Sequence, residues 1–275
     1  MRLSKIGIGT HTYRDQDFVS DLFKELEKFN YDFVDCAWRH GNEAIIGSGI
    51  RVLKQNLGDD YDCTLPFQSK AWPTQYSQGI PKTIKFSIGK IGISTIIDGY
   101  MLHRPHPDME VNLLAWRQLI DCRKCKLVRK IGLGNFDKDM IEKLYEKTGV
   151  RPDFLQVELS LNNMRWDRIV YCQERGIEVQ AYEPFGDLAA NAQNPDLIKL
   201  TEKYKITIRV LLTAFLLNVG VVPIVVPEKI EDVAEFIKAK DVVLEKEDLE
   251  FMKTLNSYKN MHQETFAIDF KEGWS

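Results

Sequence analysis

Along the chain, short apolar runs rich in β-branched and aromatic residues alternate with longer amphipathic stretches. The short runs predict strands at Lys5–Gly9, Phe33–Cys36, Cys63–Ser69, Thr95–Leu102, Lys130–Gly134, Phe154–Glu158, Glu178–Ala181 and Val221–Val226. The longer ones predict helices at Asp17–Phe29, Glu43–Gln55, Pro81–Lys90, Val111–Lys126, Lys138–Lys147, Arg165–Arg175 and Thr207–Asn218. Further helices are expected at Pro195–Tyr204, Glu228–Lys238 and Glu247–Leu255. Thr148-Gly149, Arg175-Gly176 and Val219-Gly220 read as helix ends, where glycine takes the left-handed cap conformation, and a short apolar run follows each.

Strand–helix alternation repeated eight times argues for a parallel sheet covered by helices. Eight units match a closed (β/α)8 TIM barrel, whose usual size is about 250 residues. The competing open, doubly wound sheet would announce a dinucleotide site with G-x-G-x-x-G after its first strand. Gly7-Ile8-Gly9-Thr10-His11-Thr12 lacks the third glycine, and so does Gly132-Leu133-Gly134-Asn135-Phe136-Asp137. The barrel is therefore preferred, as one domain over 1–275 with a C-terminal tail from about 257.

Composition narrows the class. With 44% hydrophobic and 28% charged residues in 275, the chain is not disordered or fibrous. No apolar run approaches the roughly 18 residues of a membrane helix, and the first residues show no signal-peptide core. The 37 basic and 40 acidic side chains are mixed without a basic stripe, which disfavours nucleic acid as a partner. Five cysteines without a disulfide framework fit a reducing compartment, and a cytoplasmic protein is expected. Cys122-x-x-Cys125 has no second pair to complete a zinc site.

Barrel enzymes place their chemistry at the C-terminal ends of the strands. Asp35, Lys70, His103, Asn135, Gln156 with Glu158, and Tyr182 with Glu183 stand there. Any one of them alone is explained as a satisfied polar residue at a strand end. Together they are harder to dismiss, because burying a carboxylate and an ammonium costs several kcal/mol unless they pair.

At these positions the chain resembles the aldo-keto reductase family. Asp35-Cys36-Ala37-Trp38-Arg39-His40-Gly41-Asn42-Glu43 is similar to D-x-A-x-x-Y-G-N-E, and Ser69-Lys70-Ala71-Trp72 to (T/S)-K-x-W. Asp98–Pro105 resembles D-x-Y-x-x-H-x-P, Ile131–Phe136 resembles I-G-V-S-N-F, and Leu155–Glu158 resembles N-Q-V-E. Ala181-Tyr182-Glu183-Pro184-Phe185-Gly186 resembles A-Y-S-P-L-G. The resemblance implies carbonyl reduction by hydride from NADPH, with an Asp, Tyr, Lys and His tetrad. In it the tyrosine donates a proton, the Asp-paired lysine lowers that phenol's pKa from about 10, and the histidine orients the substrate. These positions map to Asp35, position 40, Lys70 and His103. Asn135, Gln156 and Tyr182 match nicotinamide contacts, and Phe185 and Lys229 complete the expected cofactor residues.

Several positions depart from that pattern. Position 40 is His40, held in register by Asp35, Gly41, Asn42 and Glu43. Either it replaces the phenol as proton donor, made more neutral by the Lys70 charge, or the reductase chemistry is lost. Gly134 and Glu183 replace serines that serve the cofactor, and Asp187 adds a carboxylate where a pyrophosphate would lie. No Lys-Ser pair survives in Val222–Lys229, and Lys229 stands for the expected arginine, so NADPH, NADH or no cofactor all remain open. His103-Arg104-Pro105-His106-Pro107-Asp108 with His40 and Asp35 offers metal-ligand types, but Lys70 argues against a cation and no metal is expected. His106 is expected to face solvent, and Trp38, Trp72 and Trp116 to sit near the mouth or pack on the barrel. The expectation is reduction of a small aldehyde or ketone, with a non-redox isomerase or lyase, or an inactive binding protein, as alternatives. Met261–Phe266 is a segment that could close over the pocket.

Overall fold

The computed structural model describes residues 4–58, 60–93, 95–259 and 261. Its first half runs β1 (Gly7–Gly9), α1 (Gln16–Lys28), β2 (Phe33–Asp35), α2 (Glu43–Leu57), β3 (Phe67–Ala71), α3 (Ile80–Ile91), β4 (Ile97–Leu102) and α4 (Met109–Lys124). The second half runs β5 (Val128–Gly134), α5 (Lys138–Thr148), β6 (Phe154–Glu158), α6 (Trp166–Glu174), β7 (Glu178–Tyr182), α7 (Leu188–Gln193), α8 (Pro195–Tyr204), α9 (Ile208–Asn218), β8 (Val222–Val225), α10 (Glu231–Phe236) and α11 (Lys246–Thr254). The eight strands are parallel and pair in chain order, and β8 closes on β1 through Gly7 opposite Ile224. This is the (β/α)8 barrel expected from the alternation.

Outward strand residues such as Val34, Leu102, Leu133 and Leu155 are fully buried against the helices. Inside the barrel, Phe33, Val222 and Ile224 form a small apolar floor. Gly7 and Gly132 make room for this packing. A Cβ on Gly7 would lie 2.4 Å from the Phe33 ring, and one on Gly132 would lie 2.3 Å from the Phe154 ring. The three glycines expected at helix ends all take positive φ, 68° at Gly149 and Gly176 and 78° at Gly220.

Three of the differences from the sequence reading have a traceable reason. Strand β3 starts at Phe67 and not at Cys63, because the amide and hydroxyl of Thr64 both donate to Glu27 on α1. Pro66, which has no N–H, offers only its carbonyl to Val34. Helix α10 starts at Glu231 and not at Glu228, because the Asp232 carboxylate accepts the amides of Glu228 and Lys229 and folds them into a turn. The short helix α7 was not anticipated; Asp187 caps it by accepting from the Ala190 amide.

Candidate active site

Strand alternation turns every second residue into the barrel, and the upper interior layer is polar. Asp35 closes β2 and Lys70 lies within β3, and their Oδ2 and Nζ atoms are 2.5 Å apart with both side chains buried. Lys70 also donates to the Cys36 carbonyl at 3.0 Å, which satisfies a second of its three protons. The other Asp35 oxygen accepts from Gln68 at 2.6 Å and from Gln156 at 3.1 Å. Gln180 joins both amides from β7, accepting from Gln68 at 2.9 Å and Gln156 at 3.2 Å. Three buried glutamines thus hold the carboxylate in place, and the pair avoids the penalty of an unpaired buried charge.

Above this layer lie the imidazoles. His40 ends a single 3-10 turn, Trp38–His40, and His103 follows β4 directly. Their ring centroids are 6.0 Å apart, and His11 lies 5.9 Å from His40. Burial, reinforced by the Lys70 charge, brings His40 down from the ordinary imidazole value to about 2. Burial and Lys70 also hold His103 well below that value. Both rings are therefore neutral near pH 7. Their Nδ1 atoms are buried and have no hydrogen-bond partner among the described residues.

The residues expected to face a nicotinamide are present but occupied. Asn135, at φ 61°, donates to the His103 carbonyl at 3.0 Å and accepts from the Tyr182 hydroxyl at 2.9 Å. Gln156 turns inward to Asp35. Gly134 is required by close packing, since a Cβ there would lie 2.4 Å from the His103 carbonyl oxygen. A serine at 134 would need the β4 end to move.

A cavity of about 1020 Å3 opens at the C-terminal ends of the strands. Asp35, His40, Lys70, His103, Asn135, Gln156, Tyr182 and Phe185 all line it, so the fold brings together eight of the nine expected residues. Lys229 is exposed and does not line it. Asp187 is not a lone carboxylate beside the cavity but a helix cap paired with Lys259 at 2.7 Å. His106 is half-buried in the loop, its Nδ1 accepting from the Asp108 amide at 3.0 Å. Trp72 lines the cavity, whereas Trp116 is buried on α4. Among the described residues, no three His, Cys, Asp or Glu side chains are arranged to hold a metal ion. Sequence reasoning missed Gln68 and Gln180, although each stands two residues before an expected site residue and so shares its strand face. It also missed Arg39 and Arg104, each adjacent to an expected histidine. Residues 262–266 lie outside the described set; Met261 donates its amide to Glu158 at the cavity wall, at 2.6 Å.

The fit to a nicotinamide dinucleotide is divided. Tyr182, Asn135, Gln156 and Phe185 suit the nicotinamide end, with an aromatic wall and amides. Glu183 and Glu228 also line the cavity, where carboxylates would oppose a phosphate, and Arg209 there is held by Asp232 and Glu235.

A closed parallel (β/α)8 barrel thus carries a buried Asp–Lys pair and two histidines at the C-terminal ends of its strands. The model for the aldo/keto reductase family matches residues 5–257, and the chain belongs to that family. It is 25% identical to an aldo-keto reductase of Bombyx mori over 97% of this chain and 92% of that protein. It is 26% identical to an NAD/NADP-dependent indole-3-acetaldehyde reductase of Schizosaccharomyces pombe, over 97% of this chain and 95% of that protein. The solved structure of the Bombyx mori enzyme in complex with NADP superposes with a TM-score of 0.82 at 25% identity, covering 94% of this chain and 91% of that one. The aldose reductase of Schistosoma japonicum shares the fold, with a TM-score of 0.84 at 21% identity over 98% of this chain and 95% of that one.

Proposed function

We propose that this protein reduces a small aldehyde or ketone with hydride from a reduced nicotinamide nucleotide, and that His40 takes the place of the family tyrosine. The observation that carries the reading is the pair of neutral imidazoles, His40 and His103, above the buried Asp35–Lys70 pair. A bound reduced nicotinamide supplies the hydride; Tyr182, Phe185, Asn135 and Gln156 would hold it. Hydride arrival leaves negative charge on the carbonyl oxygen, and donors fixed beforehand stabilise that charge. Neutral His40 and His103 each carry an N–H for this purpose. His40 passes its proton to the alkoxide, with the Lys70 charge stabilising the ring until solvent returns the proton. Asp35 and the three glutamines keep Lys70 in position.

His40→Phe should lower kcat by about 100- to 10,000-fold, the usual worth of a positioned acid. Its nucleotide affinity should stay within about twofold of the original protein's, read by tryptophan fluorescence. Full turnover in that variant removes the assignment. Because His40 is already neutral, kcat should also show no rise as pH falls through about 6.5, the value for a free imidazole.

The experiment that tests the whole reading is titration with NADPH and NADH. Low-micromolar binding, about −8 kcal/mol, supports it, and the preferred nucleotide reports on the phosphate end. No saturation at millimolar concentration favours the second reading, a non-redox isomerase, lyase or binding protein on the same barrel. The occupied amides of Asn135 and Gln156 and the acidic phosphate side speak for that alternative. The five free thiols, three of them buried, support placement in a reducing compartment such as the cytoplasm.

A further inference from the structure

Charge around the mouth is sorted by strand. Arg14, Arg39 and Arg104 follow β1, β2 and β4. Glu183 and Glu228 follow β7 and β8, and Glu158, which ends β6, accepts from Asn163 and from the Met261 amide. The exceptions are engaged: Asp35 pairs with Lys70, and Asp15 caps α1 by accepting from Asp17 and Phe18. On the other side, Arg209 is held by Asp232 and Glu235. One half of the cavity is thus basic and the other acidic.

Within the basic half, two guanidinium groups share one indole. Arg39 lies 5.6 Å and Arg104 5.5 Å from the Trp72 ring. Trp72 meets His103 edge-on at 5.0 Å, so both arginines stand beside the approach to the imidazoles. Arg39 directly precedes His40 in the chain, and Arg104 directly follows His103. Arg14 donates to the carbonyls of His11 and Tyr13 at 2.9 and 2.8 Å, which fixes a third cation at the rim. Neither imidazole adds charge, since both are neutral. Several cations gathered on one low-dielectric wall raise the local potential and attract an anion. A guanidinium presents two parallel N–H groups that match a carboxylate or phosphate.

We propose that the compound reacting at His40 and His103 is itself an anion: a small aldehyde or ketone carrying a carboxylate or phosphate, held by Arg39 and Arg104 beside Trp72. This rests on the reading of the cavity as a carbonyl-reducing site. The acidic half stays with the opposite strands, where it repels the same anion and leaves one orientation favoured.

The test is calorimetric titration of the full chain, without nucleotide, using two matched pairs. They are 4-oxopentanoate against 4-oxopentanamide, and dihydroxyacetone phosphate against dihydroxyacetone. The charged member of at least one pair should bind about tenfold or more tightly than its neutral match, and the pair with the larger ratio identifies carboxylate or phosphate. In Arg39→Gln and Arg104→Gln that ratio should fall several-fold, and Arg39→Lys should restore only part of it. Ratios near one in both pairs, ratios unchanged in both glutamine variants, or no binding of any probe up to about 10 mM would overturn the proposal. The comparison in the unmutated protein requires no variant to fold. Neither nucleotide nor turnover enters, so failure to bind NADH or NADPH would remove the reductase reading while leaving this result intact.

Discussion

His40 and His103 are held neutral chiefly by burial, and that has a consequence for stability. An unfolded chain releases both rings to water, where an imidazole titrates near 6.5. Between that value and about 2, the unfolded state binds a proton that folded His40 does not. The sign follows from linkage: stability is fully present above about 6.5 and is lost as pH falls toward 2, by at most about 1.4 kcal/mol per pH unit for each such ring. Replacing His40 with phenylalanine removes one of the two rings. The drop in Tm between pH 7 and pH 5 should then be smaller in the variant than in the original protein. An equal drop would show that burial at position 40 does not depress its proton affinity. Both histidines were legible from motif position, and so was the direction in which Lys70 moves His40; the larger effect, burial, was not, because it depends on neighbours from separate strands.

At the scale of elements, helix packing overrides local preference. Gly47 sits within α2, where alanine would gain about 1 kcal/mol in helix propensity. A Cβ there would lie 2.2 Å from the Lys90 carbonyl oxygen and 2.9 Å from that of Ile91, at the end of α3. Both obstacles are backbone, which cannot rotate aside, and overpacking of this kind costs about 1–3 kcal/mol. Gly47→Ala should therefore lower Tm, by about 2 °C or more, as followed by thermal denaturation. A raised Tm would mean that α2 and α3 separate at little cost. The same competition explains β3. Residues 63–66 read as strand by composition, yet Glu27 on α1 takes the Thr64 donors and the ladder begins at Phe67. Three helix C-termini were readable because a glycine cap acts locally, as Gly149 does for α5.

For the whole molecule, closure of the barrel turns eight strand ends into one rim with two electrostatic halves. Glu183 faces the cavity from the acidic half at φ 52°, a conformation that side chains rarely adopt. Glu183→Ser should tighten nucleotide binding a few-fold, the size of a partly solvated charge interaction of about 1 kcal/mol. Titration with NADPH and NADH reads this directly, and an unchanged Kd would show that the carboxylate points away from the phosphates. The segment after α11 belongs to the same rim. The amides of Ser257 and Lys259 donate to the Asn162 carbonyl, and Lys259 pairs with Asp187. That latch neutralises a carboxylate that the sequence alone placed against the pyrophosphate.

The sequence by itself determined the alternation of strands and helices, the eight-fold count and the motif positions that bring Asp35, Lys70 and His103 to one rim. Those features are local: a two-residue or 3.6-residue period, a cap, a glycine after a helix. Tertiary structure alone decided how deeply burial depresses His40, that Gln68 and Gln156 converge on Asp35 with Gln180 accepting from both, that Lys229 lies outside the cavity, and that arginines and glutamates line the same mouth. Each of these depends on which distant residues share a buried volume. A burial penalty or a hydrogen bond across the barrel is a property of that shared space and leaves no periodicity in the chain.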